Sequence, residues 1–325
     1  MMKTEVFYFM KIKVLDRATL GFDLDLACLN KYGEVEVYDN SDGAQVLERI
    51  KDAEIVIINK IKITKAVIEN GVNLKLICVF ATGYDNIDVN AAKEHGISVC
   101  NVPAYSTDSV ALCTVSNVLY LYTHLGEYNS FVKSGEYTRE GKANRLTPVY
   151  HEMNGIKWGI VGYGNIGKRV AGIAEALGAE ILVNKLTPID GVRCVDIETI
   201  CRECDVITLH CPLNENTRGL INSYRLSLMK KSVVLVNEAR GAVTDEAAIT
   251  DAILNVRIGA FGSDVYSVEP FPQDHPFNKI KELPNVCLTP HCAWGAYESR
   301  VRALNIICNN IESFMSGKIL NRVDI

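Results

Sequence analysis

Short apolar runs alternate with amphipathic stretches along most of the chain. Early on, residues 11–15, 54–58, 76–79 and 97–100 are brief and rich in Val and Ile, as strands buried on both faces should be. Helical patterns at 44–50, 64–70 and 89–94 fall between them. A second series of strand-like runs follows at 158–161, 181–184, 206–210, 233–236, 258–263 and 286–289. Alternation of this kind predicts parallel sheets wrapped by helices, and six runs are the number expected of a complete dinucleotide-binding sheet. A long helix is predicted over 108–125 and another over 297–315, the latter placed to return to the first domain. The polar segment 127–150 shows no period and reads as an extended loop. The expected fold class is α/β with two doubly wound parallel-sheet domains. Residues 1–102 with 296–325 form a discontinuous substrate-binding domain, and 103–295 form a dinucleotide-binding Rossmann domain.

Composition narrows the functional classes. A chain of 325 residues suits about two domains, and a net charge of −5 with both signs dispersed offers no basic stripe for nucleic acid. No apolar run is long enough to span a bilayer. The run Val6-Phe7-Tyr8-Phe9-Met10 is too short for a leader and reads as a buried strand or an extension. Eleven scattered cysteines fit reduced, buried thiols in a cytoplasmic protein. Cys201-x-x-Cys204 has no second pair at matching spacing, so two packed cysteines are expected there, and no metal site.

Gly162-Tyr163-Gly164-Asn165-Ile166-Gly167 supplies G-x-G-x-x-G between an apolar strand and a helix with apolar positions at 166, 170, 173, 174 and 177. In that context Gly162 makes the turn, Gly164 admits a pyrophosphate, and Gly167 lets helix and strand pack closely. The helix N-terminus, at Asn165 and Ile166, then faces the phosphates. An acid normally ends the next strand and binds the ribose 2′-hydroxyl. Here the strand ends Asn184-Lys185. Either Lys185 attracts a 2′-phosphate, pointing to NADP, or it is solvated and Asn184 or backbone holds the ribose of NAD.

Three further motifs sit at or after strand ends, where open α/β sheets bind ligands: Asn237-Glu238-Ala239-Arg240-Gly241, Asp264-Val265-Tyr266-Ser267-Val268-Glu269-Pro270 and Pro290-His291-Cys292-Ala293-Trp294. An imidazole can give and take a proton near neutral pH, and His291 is the candidate acid–base group. A carboxylate at Glu269 orients that imidazole and favours its charged form. A guanidinium at Arg240 can grip the substrate carboxylate or carbonyl with two parallel N–H bonds.

With Ala81-Thr82-Gly83-Tyr84-Asp85-Asn86-Ile87-Asp88, Asn101-Val102-Pro103 and His210-Cys211-Pro212-Leu213 added in order, the chain resembles the D-isomer-specific 2-hydroxyacid dehydrogenase family over nearly its whole length. The resemblance implies flavodoxin-like and Rossmann-like domains with the active site between them, a homodimer, and NAD or NADP as cofactor. It also implies that Asp264 holds the nicotinamide carboxamide and that Ser109 lies near that ring. His210, Cys211, Pro212, Thr217 and Ala239 are placed beside the cofactor. Backbone N–H groups around Thr82 and Gly83 are implied to take the substrate carboxylate, and the loop at Asn59-Lys60 to face the substrate. His95, His124, His151 and His275 read as ordinary surface or packing residues.

Within the family the chain is most similar to the glycerate dehydrogenase (hydroxypyruvate reductase) branch, at 15–21 and 105–111. The implied substrate is a small 2-keto or 2-hydroxy acid, hydroxypyruvate/glycerate or glyoxylate/glycolate, handled D-specifically. Leu112, Lys185, Glu238 and Cys292 depart from the branch pattern. The competing expectation is a nucleotide-sensing regulatory dimer of the same fold with little or no turnover.

Overall fold

The structure, a computed structural model, describes residues 9–325. Residues 6–8 of the early apolar run lie outside the described residues. The chain divides into two compact units. One runs up to Ser106 and takes in Gly295–Ile325, and the other is Thr107–Trp294.

The first unit carries β1 (Met10–Val14), β2 (Gly33–Val37), β3 (Ile55–Ile58), β4 (Leu76–Val79) and β5 (Ser98–Cys100) in one parallel sheet ordered β2-β1-β3-β4-β5. This is the flavodoxin-like order, with its switch point between β1 and β3. The residues of β3 and β4 are buried throughout, which explains their unbroken apolar runs. The strand β2, GEVEV, was not expected. It lies at the sheet edge with two glutamates and an exposed Val37, and charged edge strands of this kind resist further pairing. The helix Tyr297–Met315 belongs to this unit, and Asn310 on it donates from Nδ2 to the carbonyl of Asn101 at 3.0 Å.

The second unit carries β6 (Lys157–Val161), β7 (Glu180–Asn184), β8 (Val206–Leu209), β9 (Val234–Asn237), β10 (Ala260–Ser263) and β11 (Val286–Leu288), all parallel, ordered β11-β10-β9-β8-β6-β7. In the usual dinucleotide-binding sheet the third strand lies outside the second. Here that place, beyond β7, holds a single parallel bridge between Val183 and Cys194. One apolar layer unites Ile200, Ile207, Leu235, Ile249 and Phe261. The other unites Trp158, Ile160, Val170, Val206 and Val236 with Val118 of the helix Thr107–Tyr122. Trp158 is fully buried, and its Nε1 donates to Thr208 Oγ1 at 3.1 Å, so the indole leaves no unmet donor in the core.

The segment expected to be an extended loop is partly helical. Leu125–Lys133 and Glu136–Glu140 are helices, and among them only Phe131 is buried. Helices that bury so little carry almost no hydrophobic period, and period is the signal a sequence reading depends on. Cys201 and Cys204 are buried on and just after the helix Ile197–Glu203, and among the described residues all cysteines are free thiols.

Candidate active site

The dinucleotide loop is built as its glycines require. Gly162 has φ +93°, and a Cβ there would lie 2.6 Å from the Cys211 amide nitrogen at the end of β8. A Cβ at Gly167 would overlap the Gly162 carbonyl oxygen, so only glycine lets the helix Asn165–Ala176 start this close to β6. Around Gly164 a Cβ would meet nothing, which leaves open space in front of the helix N-terminus, the place a pyrophosphate takes. The residues present therefore fit a dinucleotide.

The flanking residues divide the work. The carbonyl of Asn184 accepts from the Gly162 amide at 2.9 Å, and its Nδ2 donates to the Val195 carbonyl at 3.0 Å. Asn184 thus holds the loop after β7, while Lys185 is exposed beside it. Both ring nitrogens of His210 are shut from solvent and lack a partner. Burial alone lowers its pKa to about 3, so the ring is neutral at physiological pH. Thr217 Oγ1 donates to the Pro212 carbonyl at 2.6 Å. That hydroxyl, expected at the cofactor, closes its own loop.

Arg240, Glu269 and His291 all belong to the second unit. His291 Nδ1 and Glu269 Oε2 are 2.5 Å apart, with side chains 24% and 29% exposed. His291 sits at φ +53°, a left-handed conformation that costs a non-glycine residue energy and needs support from its surroundings. The support is visible. Trp294 Nε1 donates to the His291 carbonyl at 3.0 Å. Ser109 Oγ donates to the Ala293 carbonyl at 2.5 Å. Asp264, expected at the nicotinamide carboxamide, is 2% exposed. Its carboxylate already accepts from Thr289 Oγ1 at 2.6 Å and from the amides of Cys292 and Ala293 at 2.8 Å each. The observed work of Asp264 and Ser109 is to fix the loop that carries His291.

Arg240 is held from the other side. Asn237, fully buried, accepts from the Ala239 amide at 3.1 Å and donates to the Arg240 carbonyl at 3.0 Å. The guanidinium donates from Nη1 to the Ala239 carbonyl at 2.9 Å. Asn237 was part of the motif read from the sequence, yet its role as a loop clamp has no signature in composition or spacing. Glu238, which departs from the branch pattern, lies in the same loop. Its side chain points inward, where Oε1 accepts from Asn117 Nδ2 at 2.8 Å, and Oε2 has no partner.

In the first unit, Asp16 accepts from the amides of Asn59 at 3.0 Å and Lys60 at 2.6 Å. Asn59 is buried, and its Nδ2 donates to Thr19 Oγ1 at 3.1 Å. In the loop expected to face a substrate, the Asn59 side chain is thus used inside the fold, and Lys60 is the exposed member of the pair. Thr82 and Gly83 lie on the loop after β4, with Thr82 Oγ1 donating to the Val102 carbonyl at 2.8 Å.

Comparison with known proteins decides what this site belongs to. Residues 115–293 match the family described as D-isomer specific 2-hydroxyacid dehydrogenase, NAD binding domain. The chain belongs to that family. It is an oxidoreductase that works with NAD(P). A hydroxypyruvate reductase of Blautia hydrogenotrophica is 37% identical over 97% of this chain and 100% of its own. A glycerate dehydrogenase of Methylorubrum extorquens is 36% identical over 97% of this chain and 99% of its own. Among solved structures, the acyclic imino acid reductase Bsp5, bound to NADPH and D-Arg, is 32% identical. It aligns with a TM-score of 0.84 over 97% of this chain and 100% of that one. No helix among the described residues is long and apolar enough to cross a membrane.

Proposed function

We propose that this dehydrogenase interconverts a small 2-keto acid and its D-2-hydroxy acid, with hydroxypyruvate/glycerate or glyoxylate/glycolate as the substrate pair. The observation that carries the reading is the 2.5 Å contact between His291 Nδ1 and Glu269 Oε2. A carboxylate on Nδ1 fixes the ring and presents Nε2 as the nitrogen that exchanges a proton with the substrate oxygen. The dinucleotide, when bound, gives or takes the hydride at C2. Arg240 holds the substrate carboxylate or carbonyl through its forked donors. In the first unit, the amides of Thr82 and Gly83 are the candidates for the carboxylate, and Lys60 is the candidate side chain. Gly162, Gly164, Asn165, Ile166 and Gly167 cradle the pyrophosphate, with His210, Cys211, Pro212, Thr217, Ala239, Asp264 and Ser109 around the rest of the cofactor. The substrate class is supported by the names of the two relatives above.

The test is a panel of hydroxypyruvate, glyoxylate and pyruvate with NADH and NADPH, followed by loss of the reduced-nicotinamide absorbance. Turnover is expected with at least one of the first two. Tight dinucleotide binding with no turnover on any of them would instead support a regulatory protein of the same fold.

Lys185 sets the cofactor choice in this reading, because a cation at the end of β7 attracts a 2′-phosphate where an acid would repel it. Lys185→Asp is expected to lower the NADPH-to-NADH ratio of kcat/KM by about tenfold or more, some 1.4 kcal/mol. An unaltered ratio assigns the lysine to solvent. The working form is taken as a homodimer, for which exposed Leu112, Leu125, Val132, Leu146 and Val149 offer an apolar surface. Its free thiols suit the reducing cytoplasm.

A further inference from the structure

A second histidine–glutamate pair lies behind the first. His275 and Glu246 have side chains only 4% and 10% exposed, with Nε2 and Oε2 3.0 Å apart. His275 Nδ1 accepts from the Phe277 amide at 3.2 Å. The proton therefore sits on Nε2, and that nitrogen donates to Glu246. The ring is stacked on Phe271 at 4.8 Å and meets Phe277 edge-on at 4.9 Å, so it has little freedom to turn. Glu246 opens the helix Glu246–Leu254, where a carboxylate is favoured by the helix dipole. Besides His275 it accepts from both donors of Ser267, the amide at 2.8 Å and the hydroxyl.

Tyr266, the residue before Ser267, is where the three segments of the site converge. The Tyr266 amide donates to Glu269 Oε1 at 3.0 Å. The Tyr266 hydroxyl donates to the carbonyl of Thr289, two residues before His291, at 2.8 Å. Any side chain at Gly241, the neighbour of Arg240, would overlap the Tyr266–Ser267 peptide. Tyr266 thus touches the segments bearing Arg240, Glu269 and His291 through its amide, its hydroxyl and its peptide to Ser267, and a buried histidine–carboxylate hydrogen bond holds Ser267 from behind.

We propose that Glu246 and His275 are positioning residues for the acid–base site: by gripping Ser267 they fix Tyr266 and, through its amide and hydroxyl, the placement of Glu269 against His291. The inference rests on the catalytic reading given above. Geometry is what such a pair controls, because a displacement of about 1 Å at reacting groups can cost about a hundredfold in rate.

The test uses the full-length protein and its best keto acid from the panel. Glu246→Gln removes the charge on which Ser267 and His275 converge while keeping the side chain's size. Its kcat is expected to fall by about ten- to a hundredfold, with the dinucleotide Kd unchanged within about twofold. The alkaline limb of kcat/KM for keto-acid reduction should also move to lower pH, in the direction Glu269→Gln moves it, because a loosened carboxylate supports the protonated imidazole less. Ser267→Ala, at an exposed position, deletes one of the two donors without threatening the fold. It should move the same limb the same way by less, and it decides the matter alone if Glu246→Gln does not fold. A merely structural pair would alter thermal stability and leave both the limb and kcat in place. That result, with Glu269→Gln displaced, overturns the positioning role and leaves the catalytic reading standing. Full turnover in Glu269→Gln removes both.

Discussion

Replacing His291 with Asn is expected to lower keto-acid reduction by about two to four orders of magnitude, with dinucleotide affinity changed by no more than a few-fold. Asn is the informative choice for a structural reason. His291 lies at φ +53°, and Asn tolerates that left-handed conformation better than almost any other side chain except glycine. The loop can therefore keep its bonds from the Cys292 and Ala293 amides to Asp264 and from Trp294 Nε1 to the 291 carbonyl. What disappears is the imidazole beside Glu269, the proposed proton donor. Steady-state turnover and fluorescence titration of the reduced dinucleotide separate the two quantities. Turnover within a few-fold of the unaltered protein would remove His291 from the reaction.

The second large effect concerns stability and comes from Glu238. Its carboxyl is 8% exposed. Burial raises its pKa from 4.5 to about 8, with the charge of Asp264 adding to the rise and the hydrogen bond from Asn117 opposing it. The folded protein therefore keeps a proton that the unfolded chain has already released. Between 4.5 and about 8 the unfolded state binds fewer protons, so raising the pH favours unfolding. The loss is complete only above the folded value, and amounts to something on the order of 4 kcal/mol. Glu238→Gln keeps an acceptor for Asn117 and has nothing to titrate. It is expected to be the more stable protein at about pH 9, by several degrees in Tm for a chain this size, and to have a flatter stability curve from about pH 5 upward. The difference between the two curves reports Glu238 together with thiols its charge acts on, such as Cys113 and Cys287. Parallel curves would show that this carboxyl is already ionised in the folded state.

The two effects share a neighbour in Asp264, whose charge acts on Glu238 and whose carboxylate accepts from the amide after His291, and they illustrate different kinds of design. Asn237, Asp264 and Ser109 spend their polar groups largely on the backbone that carries Arg240 and His291. Glu238 leaves one oxygen without a partner beside another carboxylate. Such a group destabilises the fold at alkaline pH, and nothing in the structure explains why this residue stands there.

Local chemistry in the chain was enough to determine most of the alternating strands of both sheets, the glycine loop and the long helices starting at Thr107 and Tyr297, and to single out the proposed trio Arg240, Glu269 and His291. Each has a short-range cause: strands buried on both faces must be apolar throughout, a tight strand-to-helix turn must have glycine, and the motifs lie at strand ends. Tertiary structure decided the remainder. The edge strand Gly33–Val37 alternates glutamate with valine because one side of it is open, and the helices over 125–140 bury only Phe131, so neither carries a clear period. His275 read as an ordinary residue because its partner, Glu246, is remote in sequence, and Asp264 gains its three donors only when β10 and β11 lie side by side. Periodicity and turn chemistry are set within a few residues of chain, whereas burial and the choice of hydrogen-bond partner exist only once distant segments have packed together.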